Sequence, residues 1–164
     1  MSLVVPRKSH RLWRVAAPLV VVAATTTGCF GGGSGAGDAT ALLQRVNEVR
    51  ATAGLPALGW CGTLASAATA HATDMSVTGV HGHIGSNGST FDQRAAAHGY
   101  GARGQWTLLA ENVAWGQTGV DQVLHDWLVS PGHAANILNA GLQHAGFARV
   151  GTSWVQMFGA GGSC

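Results

Sequence analysis

Apolar residues recur at helical spacing through the first half of the chain and at alternate positions near its end. Leu42, Val46, Val49 and Ala53 repeat on one face, which predicts a helix over 38–53, opened by Asp38 or Thr40 and ended by Gly54. Leu55-Pro56-Ala57-Leu58 reads as an extended connector. A second helix, from about Gly62 to Ser76, carries Leu64, Ala68, His71 and Met75 on one stripe. A histidine in such a stripe is read as a hydrogen-bonded core group rather than a ligand. Residues 77–89 form a Gly- and Ser-rich loop that holds His81 and His83. Loops carry functional groups disproportionately often, so these two imidazoles are better ligand candidates than His71. Thr90 then caps a short helix from Phe91 to His98, closed by Gly99.

The second half begins with a strand-like run, Ala110-Glu-Asn-Val-Ala-Trp-Gly116, in which Glu111 is the one carboxylate among apolar neighbours. A charge so placed either faces solvent or lines a cleft. Thr118 or Gly119 opens a helix that buries Val120, Val123, Leu124, Trp127 and Leu128, with Asp121 and His125 as a solvated pair on its other side. Ser130 can cap a further helix to Leu138, Pro131 suits its first position, and His133 falls in its first turn. There the positive end of the helix dipole favours neutral imidazole. Two alternating strands, 143–150 and 153–158, are joined by a tight Gly151-Thr152 turn; Trp154, Gln156 and Phe158 fall on one side, Val155 and Met157 on the other. Several helices and about three strands make an α+β fold, with helices on both faces of the sheet.

The start of the chain does not fit that pattern. Arg7, Lys8, Arg11 and Arg14 precede a ten-residue apolar run, Val15–Ala24, too short for the roughly 20 residues that span a bilayer. A basic start before a short apolar run is the build of an export signal, assigned to residues 1–28. Thr26-Thr27-Gly28-Cys29 followed by a Gly/Ser-rich tether over 29–38 is similar to a bacterial lipoprotein site, with Cys29 as the lipidated N-terminus. Thr26 stands where such sites usually have Leu, and secretion as a soluble protein is the alternative. Without the leader, five arginines and no lysine stand against seven acids, so nucleic acid has no basic surface to meet. Residues 39–164 make one domain. Cys61 and Cys164 are left as an even pair outside the cytoplasm, where a disulfide is favoured over two free thiols.

The motifs, taken as a set, point to a family. They comprise Asn47-Glu-Val-Arg50, Leu55-Pro-Ala-Leu58, Ala70-His-Ala-Thr-Asp-Met75, His83 before Gly88-Ser-Thr90, Arg94 with Gly99-Tyr100, and Glu111-Asn-Val-Ala. Trp127, Ser130-Pro-Gly-His133, Asn136-Ile-Leu138, Gly146-Phe and Trp154-Val-Gln-Met-Phe-Gly159 complete the order. Over essentially all of 39–159 the chain resembles the bacterial branch of the CAP superfamily, the cysteine-rich secretory, antigen 5 and pathogenesis-related (SCP) domains. That resemblance implies a three-layer α-β-α sandwich with a central, mostly antiparallel sheet. It also implies a cleft lined by histidines and acids, here His83, Glu111 and His133. Ser130 stands where many eukaryotic members have a second Glu, and Ala134 where an Arg often follows the histidine.

Two imidazoles and a carboxylate can coordinate a divalent ion such as zinc and leave a position open, with His83, His133 and Glu111 as ligands. The alternative is a polar cleft in which Glu111 holds a histidine by a charge-assisted hydrogen bond. No His-Glu-x-x-His helix is present, and a Ser130 nucleophile is disfavoured by its expected use as a cap. The expectation is therefore an exported, membrane-tethered monomer whose cleft binds a metal ion or a small-molecule, lipid or cell-wall ligand. A metal-assisted hydrolase with Glu111 as base is the less favoured reading, and a structural module of the cell wall is the third.

Overall fold

A computed structural model describes residues 35–101 and 105–164; the expected export signal and Cys29 lie outside that range. Helix α1 spans Gly35–Thr52, strand β1 Gly59–Trp60, α2 Gly62–Thr78 and α3 Phe91–Ala97. Then come β2 Leu108–Trp115, α4 Val120–Val129, α5 Pro131–Ile137, β3 His144–Val150 and β4 Ser153–Ala160. The four strands form one sheet in the order β1-β3-β4-β2. β1 runs parallel to β3 and the other pairs are antiparallel.

The sheet is covered on both sides. Phe147, Trp154 and Phe158 pack with Leu42, Val46, Val123, Trp127 and Ile137 of α1, α4 and α5. On the other face Val155 and Met157 pack with Leu64, Ala68 and Met75 of α2 and with Ala95 of α3. The alternation expected for β4 therefore holds, with a core on each side, and every residue from Ser153 to Ala160 is buried. The result is the three-layer α-β-α sandwich. Gly146 allows the sheet to approach α2, since a Cβ there would sit 2.1 Å from the Ala65 nitrogen. At Gly151, a φ of 60° suits the two-residue hairpin that joins β3 to β4.

Several local expectations change. α1 begins before Asp38, which lies in its first turn and pairs with Arg149 at 2.7 Å instead of capping. Its buried stripe is Ala39, Leu42, Val46 and Arg50; Ala53 is exposed. Arg50 is fully enclosed, and its guanidinium donates to the carbonyls of Pro56, Ile137, Asn139 and Leu142. It thereby satisfies the open end of α5, and desolvation lowers its pKa. Asp121 pairs with Arg45 of α1 at 2.9 Å and not with His125. β1 was not expected; two residues carry no period, and its pairing with β3 is a tertiary effect. Cys61 and Cys164 form a disulfide, with Cα atoms 5.0 Å apart. No described helix is long and apolar enough to cross a membrane.

Candidate functional site

The candidate side chains gather around β2, which lies at the edge of the sheet. Carbonyls on its free edge accept hydrogen bonds from side chains of α4 and α5. Trp127 Nε1 donates to the Val113 oxygen at 3.2 Å and Asn136 Nδ2 to the Glu111 oxygen at 3.3 Å. Asn112 extends this arrangement: its Nδ2 donates to Gln156 Oε1 at 2.8 Å and to the His133 carbonyl at 3.2 Å, while its Oδ1 accepts from Asn136. An amide ladder running from the central strand β4 thus sets the position of the helix that carries His133. Edge coverage of this kind also keeps β2 from pairing with another chain.

Glu111 shares a face of β2 with Val113, the side covered by α2 and α3. Its side chain is completely enclosed. Oε2 accepts from Arg94 Nη2 at 2.7 Å, and Oε1 lies 2.9 Å from His83 Nδ1. A buried carboxylate needs such partners, because desolvating it alone costs several kcal/mol or more. Arg94 also donates to the carbonyls of His83 and Ser89, so one guanidinium ties α3, the histidine loop and β2 together. Thr90 is the N-cap expected, and the structure adds a capping box, with Gln93 Oε1 accepting from the Thr90 nitrogen at 3.1 Å.

The hydrogen bond to Glu111 raises the His83 pKa above the ordinary value of 6.5, against an opposing effect of burial. His133 is pushed the other way, first by desolvation and then by the nearby charge of His83. The pair is therefore asymmetric: His83 takes up a proton more readily than an ordinary imidazole and His133 less readily. His133 and Ser130 border a cavity of about 230 Å³ that is also lined by Trp115, Gln117, Asp126 and Trp127. His83 and Glu111 do not line it. The four expected residues thus occupy two adjoining places at the sheet edge, a His83–Glu111–Arg94 cluster and a His133–Ser130 hollow.

Ser130 occupies the N-cap of α5, but among the described residues its hydroxyl makes no capping hydrogen bond; only its carbonyl serves the helix, accepting from Ala134. The expectation that the cap engages this hydroxyl is therefore corrected. His71 is the hydrogen-bonded core histidine expected, with Nε2 2.8 Å from the Gly82 oxygen. His81 stacks on Trp115, the rings 4.7 Å apart and nearly parallel, on a tryptophan that stays half exposed. Arg94 and Asn112 were not singled out from the residues themselves. An arginine in an alanine-rich short helix and an amide in a strand signal nothing until their burial is known.

For a metal ion, each ring can offer a nitrogen lone pair, while the Glu111 oxygens are already taken by Arg94 and His83. If His83 Nδ1–H donates to Glu111, Nε2 retains its lone pair, and a neutral His133 retains one as well. Both oxygens of Glu111 are engaged, and no group of three or more His, Cys, Asp or Glu among the described residues is arranged to hold a metal. What the geometry does display is the alternative in which Glu111 holds a histidine.

An α-β-α sandwich with a carboxylate and a histidine at its edge strand and a second histidine on a short covering helix defines the class. Residues 43–158 match the cysteine-rich secretory protein (CAP) family, and the chain belongs to it. The YkwD protein of Bacillus subtilis is 31% identical over 120 residues, covering 71% of this chain and 45% of that protein. An extracellular SCP-domain protein from Bacillus anthracis superposes with a TM-score of 0.73 at 25% identity, covering 77% of this chain and 41% of the other. An outer surface protein of Borrelia burgdorferi gives 0.66 at 25% identity, over 74% of this chain and 90% of that one. The chain spans less than half the length of the two Bacillus proteins.

Proposed function

We propose that this protein is an exported binding module whose edge-strand cleft takes a small ligand or a divalent ion through His83 and His133. One observation carries the reading: Glu111, fully enclosed between Arg94 and His83, fixes one imidazole through Nδ1. A carboxylate behind a histidine is how proteins orient a metal or ligand donor and raise its basicity. A bound divalent ion would be held by the two imidazole nitrogens and would supply Lewis acidity, with the remaining positions open to ligand or water. A hydrolytic role for Glu111 as base is less well supported, because a base must come within reach of the proton it takes and the Glu111 side chain is completely enclosed behind Arg94 and His83.

Calorimetric zinc titration tests the metal reading. Heat of binding is expected at neutral pH, its loss near pH 5, where His83, raised above 6.5, carries a proton, and its loss in His83→Ala/His133→Ala. No heat at either pH ends the metal reading, and binding retained in the double variant moves the site elsewhere. Export is supported by the disulfide and by the B. anthracis relative described as extracellular. Anchoring through Cys29 is read from the leader alone. It predicts a lipid-modified Cys29 peptide by mass spectrometry and release of Cys29→Ser from the membrane fraction.

A further inference from the structure

The hollow beside His133 differs in charge from the cluster next to it. In the His83–Glu111–Arg94 cluster a guanidinium offsets the carboxylate at 2.7 Å. The hollow is bordered by one carboxylate, that of Asp126, and by no lysine or arginine. The other described arginines are committed elsewhere: Arg45 to Asp121 and Glu48, Arg50 to backbone carbonyls, and Arg149 to Asp38. His133 takes up a proton less readily than an ordinary imidazole, so it is a poor source of the missing positive charge. Asp126 is also held in place and only partly used. Gln117 Nε2 donates to its Oδ2 at 2.9 Å, and the Gln117 carbonyl accepts from Trp154 Nε1 at 2.9 Å, which ties the group to β4. Asp126 Oδ1 makes no hydrogen bond among the described residues, nor is it closed off from solvent.

Trp115 supplies a second, independent feature. It is the last residue of β2 and half exposed, an unusual place for so large an aromatic ring. His81 lies parallel on one face of the indole, with the centroids 4.7 Å apart, and does not border the hollow. A ring covered on one face and still half exposed presents its other face, and Trp115 does border the hollow. An indole face carries negative potential and attracts a cation more strongly than any other aromatic side chain. A carboxylate without a counter-ion and an open indole therefore favour the same sign of charge. An anion would be repelled by both, and a neutral ligand would leave Asp126 uncompensated. The volume, about 230 Å³, falls below the roughly 300 Å³ at which drug-sized sites begin, so it suits a small head group.

Resting on the reading of the sheet edge as a ligand cleft, we propose that this hollow binds an organic ammonium group, with Asp126 as its counter-ion and the Trp115 indole as its platform. Primary amines and quaternary head groups share that chemistry, and methylammonium and choline separate them. The carbon isostere of choline, with the same shape and no charge, is the neutral control. Each is titrated into the full chain at neutral pH while the indole N–H resonance of Trp115 is followed by NMR. A saturable shift is expected with at least one ammonium, and the isostere should bind at least about tenfold more weakly. Asp126→Asn keeps the shape, removes the charge and should weaken ammonium binding by about tenfold. Trp115→Leu, followed through the His133 ring, should weaken it as well; if Asp126→Asn fails to fold, Trp115→Leu and the isostere decide. No saturable shift with either ammonium, an isostere that binds as tightly, or an affinity unchanged in Asp126→Asn would overturn the assignment. The zinc titration and its loss in His83→Ala/His133→Ala read the ion site separately. Heat without an ammonium shift sinks the ammonium assignment alone, and an ammonium shift without heat sinks the ion reading alone.

Discussion

At the scale of single residues, the Glu111 cluster works by charge compensation. Arg94 and Glu111 are both buried and lie 2.7 Å apart, so each makes the other tolerable. Glu111→Gln keeps the shape and removes the charge, leaving the Arg94 guanidinium enclosed without a counter-ion. A loss of about 3 kcal/mol is expected in urea unfolding, the range seen when one partner of a buried pair is removed. The same variant should lower the His83 titration midpoint toward its ordinary value, because the bond to Glu111 is the main cause of its elevation. The two imidazoles also make stability depend on pH with opposite signs. His83, raised when folded, contributes stability that is full below about pH 6.5 and lost as pH rises through its folded value. His133, lowered when folded, costs nothing at high pH and removes stability as pH falls from about 6.5 through its folded value. His83→Gln should therefore be more damaging at pH 5 than at pH 8, and His133→Gln less damaging at pH 5 than at pH 8. Both rings are partly solvated, so each difference should be about 1 kcal/mol or less. Urea midpoints at the two pH values check the signs.

At the scale of elements, the order and type of helices and strands were legible because each long segment carries its own period. α4 shows its apolar stripe plainly, and β4 alternates two sets of side chains that meet two different cores. β1 was not legible, since two residues have no period and pair only because β3 lies beside them. The site was legible in part. His83, Glu111 and His133 are chemically conspicuous, but Arg94, Arg50 and Asn112 do their work through burial, which a polar residue in a short helix or strand does not announce. The split between the His83 cluster and the His133 hollow was also invisible. It follows from Glu111 pointing to the α2–α3 side of β2 while α5 covers its edge, a matter of strand parity and tertiary packing. Sheet and helix approach closely at Gly146 of β3, where α2 crosses. Gly146→Ala would place a methyl 2.1 Å from the Ala65 nitrogen, so backbone must move on one side or the other. The expected cost is about 1–3 kcal/mol, the range for overpacking, measured as a lower urea midpoint with an unchanged slope.

At the scale of the whole molecule, the sheet is held from within by the two cores and from without by the link between Cys164 and Cys61 at the start of α2. Cys61 is fully enclosed at the N-cap of α2, and Cys164 lies a short step beyond the end of β4. The bridge joins residues 103 apart in sequence, so it closes a loop that takes in everything from α2 to the chain end. Both candidate sites lie inside that loop. In the chain-entropy account, a loop of this length restricts the unfolded chain by an amount worth about 4.7 kcal/mol, and a smaller effect is common when native geometry or residual structure intervenes. The bond acts on the unfolded state, so reduction should leave the cleft intact and change only the stability beneath it. Reduced protein is therefore expected to unfold at a clearly lower urea midpoint, by up to about 4–5 kcal/mol. Before unfolding, the His83 and His133 resonances should keep the titration midpoints of the oxidised form. Cys61→Ala/Cys164→Ala should behave like the reduced protein. If reduction shifts the histidine titrations at a denaturant concentration where the chain is still folded, the bridge shapes the site directly, and scaffold and cleft are not separable.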